Sequence, residues 1–361
     1  MHGSSRRSTP ACPKPYRISR FRQGGLHHVA HRPVLLGAAI DALRIQDQGT
    51  YLDATFGRGG HARAIFSALG AGGRLIAFDR DPQAIAFAAG LPQAWQLPER
   101  GATFTLVHTR FAALSAVLDQ LGVAQLDGVL FDLGVSSPQL DQAERGFSFR
   151  LDGPLDMRMN PQEGLSARQW LREASSGEIE AVLRDFGDER QARAIAQAIK
   201  ARFDTEGEAA LQTTGELATL IHQVLRRRGV RRDDGKDLAT RSFQAIRMQV
   251  NQELEEIEVG LKQALDRLAS KACMAVISFH SIEDRSVKQF FARHSGGMAE
   301  RDPVTGAVRQ ADWPLESVQR HLPDAQDLQD NPRARSAVLR FAYKTSGGAA
   351  LKARRERQGD F

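Results

Sequence analysis

Cysteine is nearly absent from this chain of 361 residues, with Cys12 and Cys273 the only two. That scarcity excludes a disulfide framework and a cysteine-based metal site, and both thiols are expected to be free. No apolar run approaches the roughly 18 residues that a membrane-spanning helix requires. Residues 1–30 also lack the continuous apolar segment of a secretory signal, so no membrane association and a cytoplasmic location are expected. Tyrosine is almost as scarce: Tyr16, Tyr51 and Tyr343 leave no suitably placed Tyr-x-x-x-Lys pair for the proton relay of a dehydrogenase. Acid is missing from the first 33 residues, which hold Arg6, Arg7, Lys14, Arg17, Arg20, Arg22 and Arg32. The formal net charge of the whole chain is +6, so the remainder sums to about −1 and the basicity belongs to the tail. Residues 1–26, rich in Ser, Pro, Gly and Arg, are expected to be disordered, and their charge alone does not establish a nucleic-acid partner.

What is present is an ordinary globular composition, 42% hydrophobic and 25% charged, sufficient for one large or two smaller domains. Residues 50–132 alternate strand and helix in the βαβ manner. Strands are predicted at Tyr51–Ala54, Arg74–Phe78, Thr103–Val107 and Asp127–Phe131, with helices at His61–Leu69 and Pro82–Ala89. Such alternation implies an α/β fold with a doubly wound parallel sheet. From about 140 to 236 the pattern turns helical, with Ala167–Glu173, Glu178–Phe186, Arg190–Lys200 and Thr214–Arg226 as predicted helices. One long helix is then predicted, because Phe243, Ile246, Val250, Leu254, Ile257, Leu261, Leu265 and Leu268 recur every three or four residues. A strand at Met274–Phe279, a helix at Ser281–Ala292 and a last strand at Arg335–Tyr343 follow. Residues 27–139 and 237–345 are therefore expected to form one α/β domain, with 140–236 an inserted all-helical subdomain and 346–361 a flexible tail.

Between the first strand and its helix lies Asp53-Ala54-Thr55-Phe56-Gly57-Arg58-Gly59-Gly60-His61-Ala62, where glycines let the backbone turn sharply and approach a ligand. Gly57-x-Gly59-x-x-Ala62 fits a dinucleotide loop as well as the loop of an S-adenosylmethionine enzyme. Asp79 follows Gly57 by 22 residues, near the spacing at which an acid accepts hydrogen bonds from ribose hydroxyls, and both cofactors carry a ribose. S-adenosylmethionine has no pyrophosphate and needs instead polar groups and an adenine-stacking surface after the third and fourth strands. Phe111, Asp132 and Gln139 are suitably placed, and with no hydride-transfer relay in sight, S-adenosylmethionine is the favoured cofactor.

The fourth strand runs into Asp132-Leu133-Gly134-Val135-Ser136-Ser137-Pro138-Gln139, and ligands of open α/β sheets bind beyond the carboxyl ends of strands. Methyl transfer from a sulfonium is an in-line displacement whose main requirement is near-attack geometry. Where the acceptor is an exocyclic base amine, acceptors near its protons draw the lone pair toward the methyl, and Asp132 and Ser136 offer such groups. The structural alternative is that both only brace the turn.

The chain resembles the bacterial 16S ribosomal RNA cytosine-N4 methyltransferase family in seven ordered blocks. They are His31–Leu36, Asp53–His61, Phe131–Asp141, Arg145–Phe149, Gly153–Met159, Ala239–Arg247 and Ser278–Arg285. The resemblance spans about residues 27–343 and implies a Rossmann-like class I methyltransferase sheet. It further implies S-adenosylmethionine as cofactor, no metal, and methylation of one decoding-centre cytidine in an assembled 30S particle. By position, Gly59, Gly60 and His61 would contact the cofactor's amino-acid end, Asp79 its ribose and Phe111 its adenine region, with Asp132 and Gln139 completing the pocket. Asp132, Ser136 and His280 are the catalytic candidates, although His61 could equally start a helix and His280 sit beside a cap. The chain departs from the family pattern at Asp237-Leu238-Ala239-Thr240-Arg241, where many members carry His-Pro-Ala-Thr-Arg.

A base in folded RNA must be splayed out before its amine reaches a methyl. Residues 140–250 hold 18 Lys/Arg and 18 Asp/Glu, so any phosphate contact there must come from clustering. Arg226, Arg227, Arg228, Arg231 and Arg232 form the one dense cluster, and together with Arg241 they are the RNA-binding candidates; a solvated loop is the alternative. A DNA amino-methyltransferase and a non-catalytic ribosome-assembly factor are the competing functions. A monomer or weak dimer is expected.

Overall fold

The computed structural model describes residues 33–90, 101–230, 237–297 and 313–346. In chain order these form α1 (Leu36–Leu43), β1 (Thr50–Asp53), α2 (Gly60–Ala68), β2 (Arg74–Asp79), α3 (Pro82–Ala89), β3 (Thr103–His108), α4 (Leu114–Gln120) and β4 (Leu126–Asp132). Then follow α5 (Ser137–Asp141), α6 (Ala167–Glu173), α7 (Ser176–Gly187), α8 (Ala192–Glu206), α9 (Thr214–Arg227), α10 (Thr240–Val250) and α11 (Glu253–Arg267). The last elements are β5 (Leu268–Ser278), α12 (Ser281–His294), β6 (Leu315–His321), α13 (Ala325–Asp330) and β7 (Val338–Lys344). The chain divides into two compact units. The first takes the described residues up to Asp132, Gln263–Ile277 and those from His294 onward; the second takes Leu133–Lys262 and Ser278–Arg293.

The first unit is built on a seven-stranded sheet of order β3-β2-β1-β4-β5-β7-β6. β1 to β5 pair in parallel, whereas β6 and β7 pair antiparallel. Strand order reverses between β1 and β4, the switch point at which α/β sheets bind ligands. Val129, Leu130 and Phe131 of β4 have no exposed surface, and burial of each stabilises the fold by roughly 1.5–3 kcal/mol. α3 starts where Asp81 accepts the Gln83 N–H at 2.9 Å, with Pro82 at the first helical position. The last strand closes on the first helix: the Tyr343 hydroxyl donates to the Ala42 carbonyl at 3.0 Å. The Arg44 guanidinium lies 4.1 Å from the centre of the same tyrosine ring.

The second unit packs α6 to α10 around Leu171, Ile179, Leu183, Ile195, Ile199, Leu217, Ile221, Phe243 and Ile246. Capping boxes begin α6 (Ser166 with Gln169) and α7 (Ser175 with Glu178). Its only β-type pairing among the described residues is an isolated bridge between Pro154 and Thr213.

Three sequence expectations need correction. The apolar stripe predicts a single helix across Phe243–Leu268, but the helix breaks at Asn251 and Gln252, the latter at φ 53°. Asn251 is buried and fully used there: its side-chain amide donates to the carbonyls of Met157 and Arg247 at 2.7 and 2.9 Å. Its oxygen accepts the Met159 N–H at 2.8 Å, so a polar bolt replaces helix continuity. The stripe's end at Leu268 already belongs to β5, which starts six residues ahead of the expected strand. Finally, α1, α4, α5, α13 and β6 were not foreseen; every β6 residue except Leu315 is exposed, so the strand carries no alternation to read.

Candidate functional site

The glycine loop occupies the turn from β1 into α2. Gly57 and Gly59 adopt left-handed backbone at φ 54° and 73°, a region that costs a side chain roughly 1–2 kcal/mol. Gly60 meets a different constraint, since a Cβ there would stand 2.2 Å from Pro33 Cγ. Sequence spacing pairs this loop with Asp79, and the structure joins them directly. The Gly57 N–H donates to Asp79 Oδ2 at 2.7 Å, and the Asp81 N–H donates to Asp79 Oδ1 at 2.8 Å. Burial pushes the Asp79 carboxyl up to about 6 despite those two donors.

His61, the second residue of α2, is 5% exposed. Its Nε2 stands 3.1 Å from the Val34 carbonyl; a carbonyl only accepts, so Nε2 carries the proton. Burial lowers the imidazole pKa to about 4, leaving the ring neutral and Nδ1 bare. That nitrogen faces Asp132 Oδ2 at 3.5 Å, two acceptors turned toward one another. The Asp132 N–H donates to Thr55 Oγ1 at 2.7 Å, which ties the end of β4 to the glycine loop. Phe111 lies in a short 3-10 turn after β3, its ring edge-on to Phe131 at 5.5 Å between centroids.

One residue of this unit escaped the sequence analysis as a site group. Asp53 is 1% exposed at the end of β1. The Thr55 N–H donates to its Oδ1 at 3.0 Å, while Oδ2 is buried without a hydrogen-bond partner. Burial, with the Asp79 charge adding to it, pushes Asp53 up to about 7. The loop and the strand ends beside it therefore hold Asp53, Asp79 and Asp132, and the loop's Arg58 lies 4.5 Å over the Phe87 ring. Such a pocket is rich in acceptors and negative charge. It repels a pyrophosphate and suits a ligand bearing hydroxyl donors, an ammonium and a sulfonium, so these residues fit S-adenosylmethionine and not a dinucleotide.

The remaining candidates lie in the second unit. Ser136 and Gln139 form a capping box at the start of α5, the Ser136 N–H donating to Gln139 Oε1 at 2.9 Å. Gln139 is buried, and its carbonyl oxygen is thus committed to the turn. His280 precedes α12 beside a buried ionic cluster that sequence reasoning missed. Arg247 donates to both oxygens of Glu253 at 2.8 Å and to Glu283 Oε1 at 3.4 Å. Glu283 Oε2 accepts the N–H groups of Phe279 and His280 at 3.0 and 3.2 Å, and Arg247 Nη1 stands 3.4 Å from His280 Nε2. Burial pushes the Glu283 carboxyl up, while the two carboxylates hold Arg247 firmly protonated. Arg226, Arg227 and Arg228 are exposed at the end of α9, where cations also complement the helix dipole. Arg231 and Arg232 lie outside the described residues, as does Cys12. Cys273 is a buried free thiol pushed up to about 12. Among the described residues no group of His, Cys, Asp and Glu has the makings of a metal site, and no helix is long and apolar enough to cross a membrane.

A mixed seven-stranded sheet with its switch point at β1 and β4, carrying this acceptor-rich loop, defines the class of S-adenosylmethionine-dependent methyltransferases. Residues 28–345 match the MraW methylase family throughout, and the chain belongs to that family. It is 48% identical over 323 residues to the ribosomal RNA small subunit methyltransferase H of Burkholderia thailandensis, a match covering 89% of this chain and 99% of that protein. The protein of the same name from Burkholderia pseudomallei is also 48% identical, over 319 residues, covering 88% of this chain and 98% of its own length.

Proposed function

We propose that this protein methylates the exocyclic N4 amine of one cytidine in the decoding centre of 16S ribosomal RNA, using S-adenosylmethionine and acting on the assembled 30S particle in the cytoplasm. The observation that carries this reading is the glycine loop with its excess of acceptors, in a member of a methylase family. The small-subunit RNA substrate is supported by relatives named for it that match over nearly their whole length.

When bound, S-adenosylmethionine supplies an electrophilic methyl on a sulfonium. The left-handed turn at Gly57 and Gly59 lets backbone approach the ligand closely. Asp79 accepts from the ribose hydroxyls, keeping its bonds to Gly57 and Asp81, since each carboxylate oxygen has a second lone pair. Phe111 offers an apolar face to the adenine. His61 Nδ1 and Asp132 Oδ2, facing each other, accept from the ammonium of the amino-acid end. Asp132 is also the acceptor that would orient the cytidine amine. The capping box of Ser136 and Gln139 fixes the turn after Asp132, and Glu283 fixes the backbone of His280. Arg226, Arg227, Arg228 and Arg241 contact RNA phosphates.

The decisive experiment gives the protein labelled S-adenosylmethionine and 30S particles, then digests the RNA to nucleosides. Label in N4-methylcytidine is expected. Label in any other nucleoside overturns the reading, and transfer into duplex DNA instead establishes the DNA amino-methyltransferase.

A further inference from the structure

The second unit contains a cleft of about 640 Å³ lined by no residue of the proposed cofactor or catalytic set, though the RNA-binding candidate Arg241 lies on its wall. Arg184 stands on one side, near the end of α7; Arg190 follows that helix; Arg241 faces them from the start of α10. The two helices meet at Gly187, where a Cβ would come within 2.9 Å of the Arg241 carbonyl oxygen. This close approach fixes the spacing of the arginines across the cleft.

We propose that this cleft grips one phosphodiester of the RNA strand that carries the target base, through Arg184, Arg190 and Arg241. The inference rests on RNA being the substrate. Three arginines and two acids, Asp188 and Glu189, line the cleft, and Arg241 Nη1 donates to the Asp188 carbonyl at 3.3 Å. Glu189 is already committed, because its buried Oε1 accepts the Gln191 N–H at 2.8 Å. The ion pair of Arg184 is with its exposed neighbour Asp185, at 2.8 Å, a contact that water weakens and a phosphate can displace. No hydrogen bond or ion pair among the described residues holds Arg190, which is exposed. Ser281, at the start of α12, and Gln244 add neutral hydrogen-bonding groups to the same walls. The lining has no aromatic side chain on which a base could stack. The cleft therefore reads backbone and not sequence, which disfavours a free nucleotide as its ligand.

The test measures KM for 30S particles and the cofactor Kd across a salt series, for the full-length wild type and for R190Q, R190E, R190K and R184E. R190E and R184E are expected to raise KM for the particle about tenfold, with kcat and cofactor Kd within about twofold of wild type. R190Q is expected to lower the slope of log affinity against log salt by about 0.7, the value for one phosphate contact on single-stranded RNA, and R190K to restore it. KM and salt slope unchanged in both R190E and R184E would overturn the proposal. If the wild type transfers no methyl to 30S particles, the substrate reading fails on its own. The cleft is then judged by anisotropy with a labelled short single-stranded RNA, where equal affinity of wild type and R190E overturns it. Polyaspartate competing as well as RNA of equal charge would make this an acidic-peptide site, and also overturn it.

Discussion

Asp79, at the end of β2, and His61, at the start of α2, have opposite protonation preferences, and each sets a measurable property. Asp79 is pushed up to about 6, and ribose hydroxyls need its ionised form. Cofactor affinity is therefore expected to fall as pH drops through 6, approaching tenfold per unit below it, and calorimetric titration in Asp79→Asn should lose that limb while binding at least about tenfold more weakly. Asp132→Ala is expected to reduce methyl transfer at least about a hundredfold; near-wild-type turnover would remove Asp132 from the reaction, although not the chain from its family. The loop and Asp79 were legible in sequence because glycine spacing and the 22-residue separation are local signals. Asp53 was not, because an acid closing a strand reads as the polar end of that strand, and nothing local announces that it is buried.

Among the elements, the break between α10 and α11 is the clearest case of three-dimensional context overruling a periodic pattern. The stripe continues in phase across the break, since Val250 and Leu254 are four residues apart, so hydrophobic spacing carries no trace of it. Arg247 did leave a signal. It stands four residues after Phe243 and three before Val250, on the apolar side of the helix, and Glu253 stands three after Val250. A charge at such a position is buried and needs partners. Replacing Arg247 with Met strands two buried carboxylates, Glu253 and Glu283. A loss of about 3–5 kcal/mol is expected, measured as a lower urea midpoint. Except for α4, which was missed, the βαβ elements were read within a residue or two because their strands are buried runs bounded by turns. The exposed β6 was missed because nothing on its surface alternates.

For the whole molecule, the same titrations shape stability against pH. His61 must be neutral to fold, and the unfolded ring takes a proton below about 6.5. Its contribution is thus lost as pH falls from 6.5 toward 4. Asp53 acts in the other direction: raised from 3.8 to about 7, it stabilises below 3.8 and loses that contribution as pH rises through 7. Asp53→Asn is accordingly expected to be more stable than wild type at pH 8 by a few kcal/mol, with the gain shrinking toward pH 5; urea unfolding at both pH values checks the sign. The bond from Tyr343 to Ala42 has a consequence of another kind, because its partners are 301 residues apart. At about 5–20 residues per second of synthesis, α1 waits roughly 15–60 s for its partner strand to be made. The first unit thus cannot make this closing contact until Tyr343 has been synthesised, and an enzyme proposed to modify ribosomes would itself wait on one for that strand.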